Sequence, residues 1–277
     1  MNFGFSEEQD TIRETLARML GDHATLKSAH NRLDGADGFD TATWSVLADG
    51  GWLGLAISEA EGGAGMGAVE LAILAEEIGR SLAAVPYLPA LCMAVPALQS
   101  AGTQDQRTSL LPGIAKGRTI IATALAEGGG LAPDTVSAKV VQDRLSGQKA
   151  PVTFGAEATH ALVAATDEEG TPRLSGSGVT IGALDPIDRT RPAARIDFDN
   201  APVELLPGSD PAAIRRLLDG AAVLAAFEQI GLAERALALT TDYAGERHAF
   251  GRAIGGFQAV KHRLADMFAK IELARSN

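Results

Sequence analysis

The sequence predicts an α+β multidomain protein in which a helical amino-terminal domain, a small central β-domain (barrel or sandwich) and a partial carboxy-terminal helical bundle follow one another. Three observations predict it. Apolar residues recur with a helical period up to about residue 117, short apolar runs divided by turn residues fill 118–207, and the helical period returns over 208–277. Helices and strands segregated into runs argue against the alternating order of a parallel α/β sheet.

The first helix starts near Phe5, with Ile12, Leu16, Met19 and Leu20 on one face. Ser6 and Gln9 supply a capping box, in which each side chain satisfies a backbone N–H at the helix start. Further helices are expected around Asp40 to Gly50, Ala68 to Arg80 and Asp105 to Gly113, divided by breaks such as Gly62-Gly63 and Pro86. In the centre, the runs IIATALA, SAKVV, HALVAA, GVTIGAL and ARIDF read as strands. Ser175 and Ser177, which alternate with glycines, are expected in a turn. After Pro207-Gly208, Ile214, Leu217 and Leu218 lead into a long alanine-rich helix from about Gly220 to Gly245, and another follows from Phe257.

Composition narrows the function. The 277 residues are 46% hydrophobic and 21% charged, the profile of a folded chain with a sizeable core. A net charge of −11 disfavours nucleic acid and anionic membrane surfaces as partners. The amino terminus carries acidic residues where a secretory signal needs positive charge, and no apolar stretch approaches the length of a bilayer span. Cys92 is the only cysteine, so no intramolecular disulfide forms; a cytoplasmic location is expected. The five histidines have no ligand-like spacing, so no metal site is expected. Gly63-Ala64-Gly65-Met66-Gly67 lacks the spacing of a dinucleotide fingerprint, and neither a phosphate-cradling loop nor a nucleophile elbow occurs.

The informative block is Arg247 to Met267, RHAFGRAIGGFQAVKHRLADM. Arg247 can hold a pyrophosphate through paired charge-assisted bonds, Phe250 offers an apolar surface, and Gln258 offers donors and acceptors. Taken singly, Phe250 and Phe257 would read as core anchors and Arg247 as a helix-end cation. Their ordered occurrence resembles the signature of the acyl-CoA dehydrogenase family of flavoproteins. The resemblance extends along the chain through Trp44 to Leu47, Gly50-Gly51-Trp52-Leu53, Glu76 to Arg80, Leu145 to Lys149, and Asp188-Arg189 to Phe198-Asp199.

That resemblance implies FAD as cofactor, an acyl-CoA thioester as substrate, in fatty acid or steroid side-chain catabolism, and α,β-dehydrogenation as the reaction. It also implies that Arg247, Phe250 and Gln258 reach the flavin of a neighbouring subunit. The family's flavin-binding Thr-Glu-Pro segment corresponds to Ala126-Glu127-Gly128, its Trp-Ile-Thr to Pro151-Val152-Thr153, and its Gly-Ser-Asp has no counterpart in Gly130-Leu131-Ala132-Pro133. Of the ring contacts, only Thr153 survives. The carboxylate base lies either beyond the last residue here or at a position that falls on Ala221. Asp219 is expected to face away from that position and to precede the helix proper, so no catalytic residue is assigned.

Two organisations accommodate these departures: a subunit completing the flavin site of another acyl-CoA dehydrogenase-family chain, or a truncated member of a homo-oligomeric enzyme. A structural or binding subunit without flavin is a further alternative. In each case the bundle should leave apolar faces, expected at Leu224, Phe227, Ile230 and Leu264, for another chain to cover.

Overall fold

The computed structural model describes residues 5–33, 38–128, 130–131, 135–177 and 180–276. The amino-terminal helices are α1 (Glu7–His23), α2 (Leu26–Leu33), α3 (Thr41–Asp49), α4 (Ala68–Ser81), α5 (Val95–Ala101) and α6 (Gln104–Ala115). The Ser6–Gln9 capping box forms at the start of α1, and Ile12, Leu16 and Leu20 are its buried stripe. Between α4 and α5 the backbone over Leu88–Ala94 is a π-helix, a wide-turned geometry that often accompanies functional sites.

Among the described residues, seven strands form the middle of the chain: β1 (Ile121–Ala124), β2 (Lys139–Val141), β3 (Arg144–Thr153), β4 (His160–Thr166), β5 (Pro172–Ser177), β6 (Thr180–Leu184) and β7 (Ala193–Leu205). β4 pairs with β2 and β5, β3 joins β2 to β7, and β7 meets β5, so five strands close into a barrel. β1 and β6 flank it on β4 and β7. Leu145, Val152, Val163, Ile196 and Phe198 fill its interior. Ser175 and Ser177 lie in β5 rather than in a turn, because their backbone is paired with both β4 and β7. Gly178, Ala132 and Pro133 fall outside the described residues.

α7 runs without interruption from Pro211 to Glu246, 36 residues, starting about nine residues before the sequence suggested. Asp210 caps it by accepting from the Ala213 N–H, and Pro211 occupies the first helical position, where its missing N–H costs nothing. Asp219 is therefore inside the helix, although it does point to solvent, while Ala221 faces the core. Ile214, Leu217, Ala221 and Leu224 bury into the same cluster as α1, α3 and α4. The apolar faces left open differ from those expected. Leu224 and Ile230 are buried and Phe227 and Leu264 are half-buried, whereas Val223, Leu232, Leu239 and Tyr243 on α7 are exposed. On α8 (Gln258–Ser276) Met267, Phe268 and Leu273 are exposed.

α4 and α7 cross at backbone contact. A Cβ on Gly231 would lie 1.8 Å from the Glu76 carbonyl oxygen, and one on Gly79 would lie 1.9 Å from that of Glu228. Beside the crossing, the buried Glu76 carboxylate receives Arg13 of α1, Arg80 of α4 and Arg275 of α8, at 3.4, 3.0 and 3.0 Å. Three helices and the end of a fourth are thereby pinned at one point.

Candidate functional site

A cleft of about 570 Å³ opens between the π-helix, the barrel and α7. Leu88, Pro89 and Met93 come from the π-helix, Leu125, Ala126 and Gly128 from the segment after β1, Thr153 and Phe154 from the end of β3, and Leu218 from α7. Thr123 also lines it, but its hydroxyl donates to the Met93 sulfur at 3.3 Å. Thr153 is thus the one sequence-predicted residue that reaches the cleft.

Glu127 retains a structural task in the segment that replaces Thr-Glu-Pro. Its carboxylate accepts from Lys149 Nζ at 2.5 Å, from the Ala138 N–H at 3.0 Å and from both groups of Ser137. Burial would raise its pKa, but these bonds outweigh that and hold it at about 2. Lys149 is fully buried, so its ammonium has no solvent to replace Glu127. Burial pushes the Lys149 pKa down, opposed by the same carboxylate. Glu127→Gln should therefore destabilise the chain by about 2 kcal/mol at neutral pH. A depressed carboxylate pKa stabilises the fold above its ordinary value of 4.5 and loses that contribution as pH falls toward about 2. Denaturant titrations at several pH values should show the gap between wild type and variant closing over that interval; a gap constant with pH contradicts this account.

The other three predicted residues lie elsewhere. Arg247 caps the carboxy-terminal end of α7 and is exposed. Its backbone closes a short hairpin of β8 (His248–Ala249) and β9 (Arg252–Ala253), and its carbonyl accepts from the Ile254 N–H at 2.8 Å. Phe250 and Gly251 form the two-residue tip with φ of 53° and 79°, the left-handed pair that a tight hairpin requires. Glycine accepts that backbone freely; phenylalanine does not. Phe250 is nonetheless at the tip and 96% exposed, so it is no core anchor. Its ring stands edge-on to Phe257, which Arg252 covers at 4.1 Å. Gln258 begins α8 and is also exposed.

Leu218 lies in α7 at the cleft and Arg247 directly follows the end of the same uninterrupted helix, whose rise separates them by roughly 40 Å. The arm formed by Arg247, Phe250 and Gln258 and the cleft holding Thr153 are two distinct surfaces of this chain.

Sequence reasoning missed Arg191, which lines the cleft and pairs with the buried Glu228 of α7. Nothing local marks that pair: its partners are far apart in sequence and meet only when the barrel docks on α7. The described residues lining the cleft include no carboxylate, and Ala221 carries none at the position counted for a base. A larger cavity of about 620 Å³, between α5, α6 and the barrel, contains none of the predicted residues. No group of three or more His, Cys, Asp or Glu among the described residues is arranged to hold a metal, and no described helix is long and apolar enough to cross a membrane.

A helical domain, a closed barrel and a long helix around an interdomain cleft define the class as a multidomain α+β protein. The chain belongs to the acyl-CoA dehydrogenase family: the family's N-terminal domain matches residues 6–118 and its C-terminal domain residues 211–277. It is similar to acyl-CoA dehydrogenase IpdE2 of Mycobacterium tuberculosis, 35% identical over 98% of this chain and 74% of the relative. Among solved structures, a Tcur3481-Tcur3483 steroid ACAD variant is 37% identical, with a TM-score of 0.87 over 96% of this chain and 74% of that one. The ChsE4-ChsE5 complex from Mycobacterium tuberculosis is 28% identical, with a TM-score of 0.88 over 98% and 76% of the two chains.

Proposed function

We propose that this chain works in FAD-dependent α,β-dehydrogenation of an acyl-CoA thioester, as a subunit whose Arg247, Phe250 and Gln258 complete the flavin site of a neighbouring family member. The observation that carries the reading is the separation of roughly 40 Å between that arm and the chain's own cleft along α7. An arginine, an aromatic ring and an amide, all exposed and presented from a rigid hairpin, fit a pyrophosphate and its adjoining rings. They cannot meet Thr153 of the same chain on one flavin ring.

The flavin, when bound, would supply the hydride acceptor. This chain's residues would do the holding: Arg247 with its guanidinium on the phosphates, Gln258 through amide hydrogen bonds, and Phe250 by covering the cofactor from water. The partner would provide the carboxylate that removes the α-proton. The exposed Leu232, Leu239, Tyr243 and Phe268 supply apolar surface for that association, which a homo-oligomer could also use. Heteromeric assembly is favoured by the likeness to two paired assemblies, Tcur3481-Tcur3483 and the ChsE4-ChsE5 complex. The buried free thiol of Cys92 suits a reducing cytoplasm.

Co-expression with neighbouring family members tests the proposal, followed by the flavin-to-protein ratio and dehydrogenation assays with short, long and bulky acyl-CoAs. A complex that is yellow and active supports it; failure of every family partner, and of the chain itself, to assemble with flavin overturns it. Phe250→Gly separates cofactor contact from folding. Relief of the left-handed strain offsets loss of the ring contact with Phe257, so stability should change by less than about 1 kcal/mol. Flavin retention in the complex should nevertheless fall severalfold, as read by flavin absorbance after gel filtration.

A further inference from the structure

Arg191 is the one charged side chain among the described residues lining the cleft. The wall around it is apolar, made by Leu88, Pro89, Met93, Leu125, Phe154 and Leu218. Its guanidinium is not left to wander. One terminal nitrogen donates to a Glu228 carboxylate oxygen, and Glu228 is 7% exposed. The other nearby acid, Asp188, stands 3.8 Å from Nε, beyond hydrogen-bond range.

Glu228 is itself held in place, because its backbone packs directly on Gly79 at the crossing of α4 and α7. Tyr87 and Cys92 lie close to it, and burial keeps both in their protonated forms by raising their pKa values. A guanidinium has donors on two edges. With one edge held by a buried carboxylate on a rigid helix pair, the rest of the fork keeps a set orientation at the cleft, which is how a second oxyanion is recognised.

We propose that Arg191 anchors an oxyanion of an apolar-bodied ligand in this chain's own cleft, and that Glu228 is its positioning residue. The inference rests on the family reading only in taking the ligand to be an acyl thioester; it needs neither a flavin nor a partner. The oxyanion is a carboxylate at the end of the acyl group or a phosphate of the CoA, and the probes distinguish them.

The experiment titrates the full chain, without added flavin or partner, by calorimetry with CoA, valeryl-CoA and glutaryl-CoA, the last two matched in length but differing by a terminal carboxylate. Wild type, Arg191→Met, Arg191→Lys and Glu228→Gln are compared, with melting temperatures as a check on folding. If the anchor meets the acyl carboxylate, Arg191→Met weakens glutaryl-CoA at least about tenfold while valeryl-CoA is unchanged. If it meets a phosphate, all three probes weaken alike while the fold remains intact. Arg191→Lys, which keeps the pair with Glu228 but not the fork, should lose a smaller factor. Glu228→Gln should reduce the ratio between glutaryl-CoA and valeryl-CoA in the first case; a merely structural defect would lower both together and leave that ratio unchanged. Unaltered binding in Arg191→Met and Arg191→Lys overturns the proposal, as does wild type binding none of the probes. Neither result bears on the arm at Arg247, whose flavin contribution is measured in the complex.

Discussion

Arg247→Ala is expected to strip flavin from the assembled complex, weakening its retention by roughly 10- to 100-fold, the worth of a charge-assisted bond to phosphate. The fold should hardly notice. Arg247 is exposed, its backbone is already fixed by the Ile254 N–H, and no salt bridge within the described chain uses its side chain. The loss should therefore appear as a changed flavin dissociation constant with an unchanged melting temperature for the isolated chain. Arg247→Lys should recover only part of the affinity, because an ammonium lacks the paired donors of the fork. Flavin retention equal to wild type in Arg247→Ala would remove the residue from the cofactor site.

The second large effect is on stability. Gly231→Ala would ordinarily favour a helix by about 1 kcal/mol. Here the added Cβ would fall 1.8 Å from the Glu76 carbonyl oxygen, a backbone atom with no rotamer to escape through. α4 and α7 would have to separate, loosening Ile73, Leu74 and Leu224 and shifting Glu76 away from its three arginines. A net cost of about 3 kcal/mol is expected, lowering the melting temperature by roughly 6 to 12 °C. Gly79→Ala, at the reciprocal contact with Glu228, should behave alike. Gly220→Ala is the control, since a Cβ there meets nothing within 4 Å. A Gly231→Ala variant as stable as wild type would show that the crossing is looser than described.

Much of the architecture was legible because local chemistry specified it. The capping box at Ser6, the apolar stripe of α1 and the helix-strand-helix order all depend on neighbouring residues. The start of α7 is obscured in the sequence because Pro207-Gly208 looks like a break, although Asp210-Pro211 is a cap followed by a favoured first helical residue. Ser175 and Ser177 differ from the turn their sequence suggests because pairing on both sides overrides the turn preference of their glycine neighbour. The open apolar faces were misplaced because periodicity shows that a helix has an apolar face but not which domain claims it. Leu224 went to the amino-terminal core and Ile230 is also buried, leaving Leu232, Leu239 and Tyr243 outside.

The candidate site divides in the same way. Arg247, Phe250 and Gln258 were visible because they lie within one short, ordered block. The outward aim of that block depends on a helix long enough to carry it from the cleft, and on left-handed backbone at a phenylalanine, neither of which composition announces. Arg191 and Glu228 meet only through tertiary packing, so their pairing had no local trace.

The most direct test of the central claim is the flavin bound per chain, measured by absorbance as association is varied by dilution and by adding the partner subunit. The account predicts little flavin on the dissociated chain and flavin gained in step with complex formation. A dissociated single chain that retains one flavin, with an affinity unaffected by any neighbour, would contradict it.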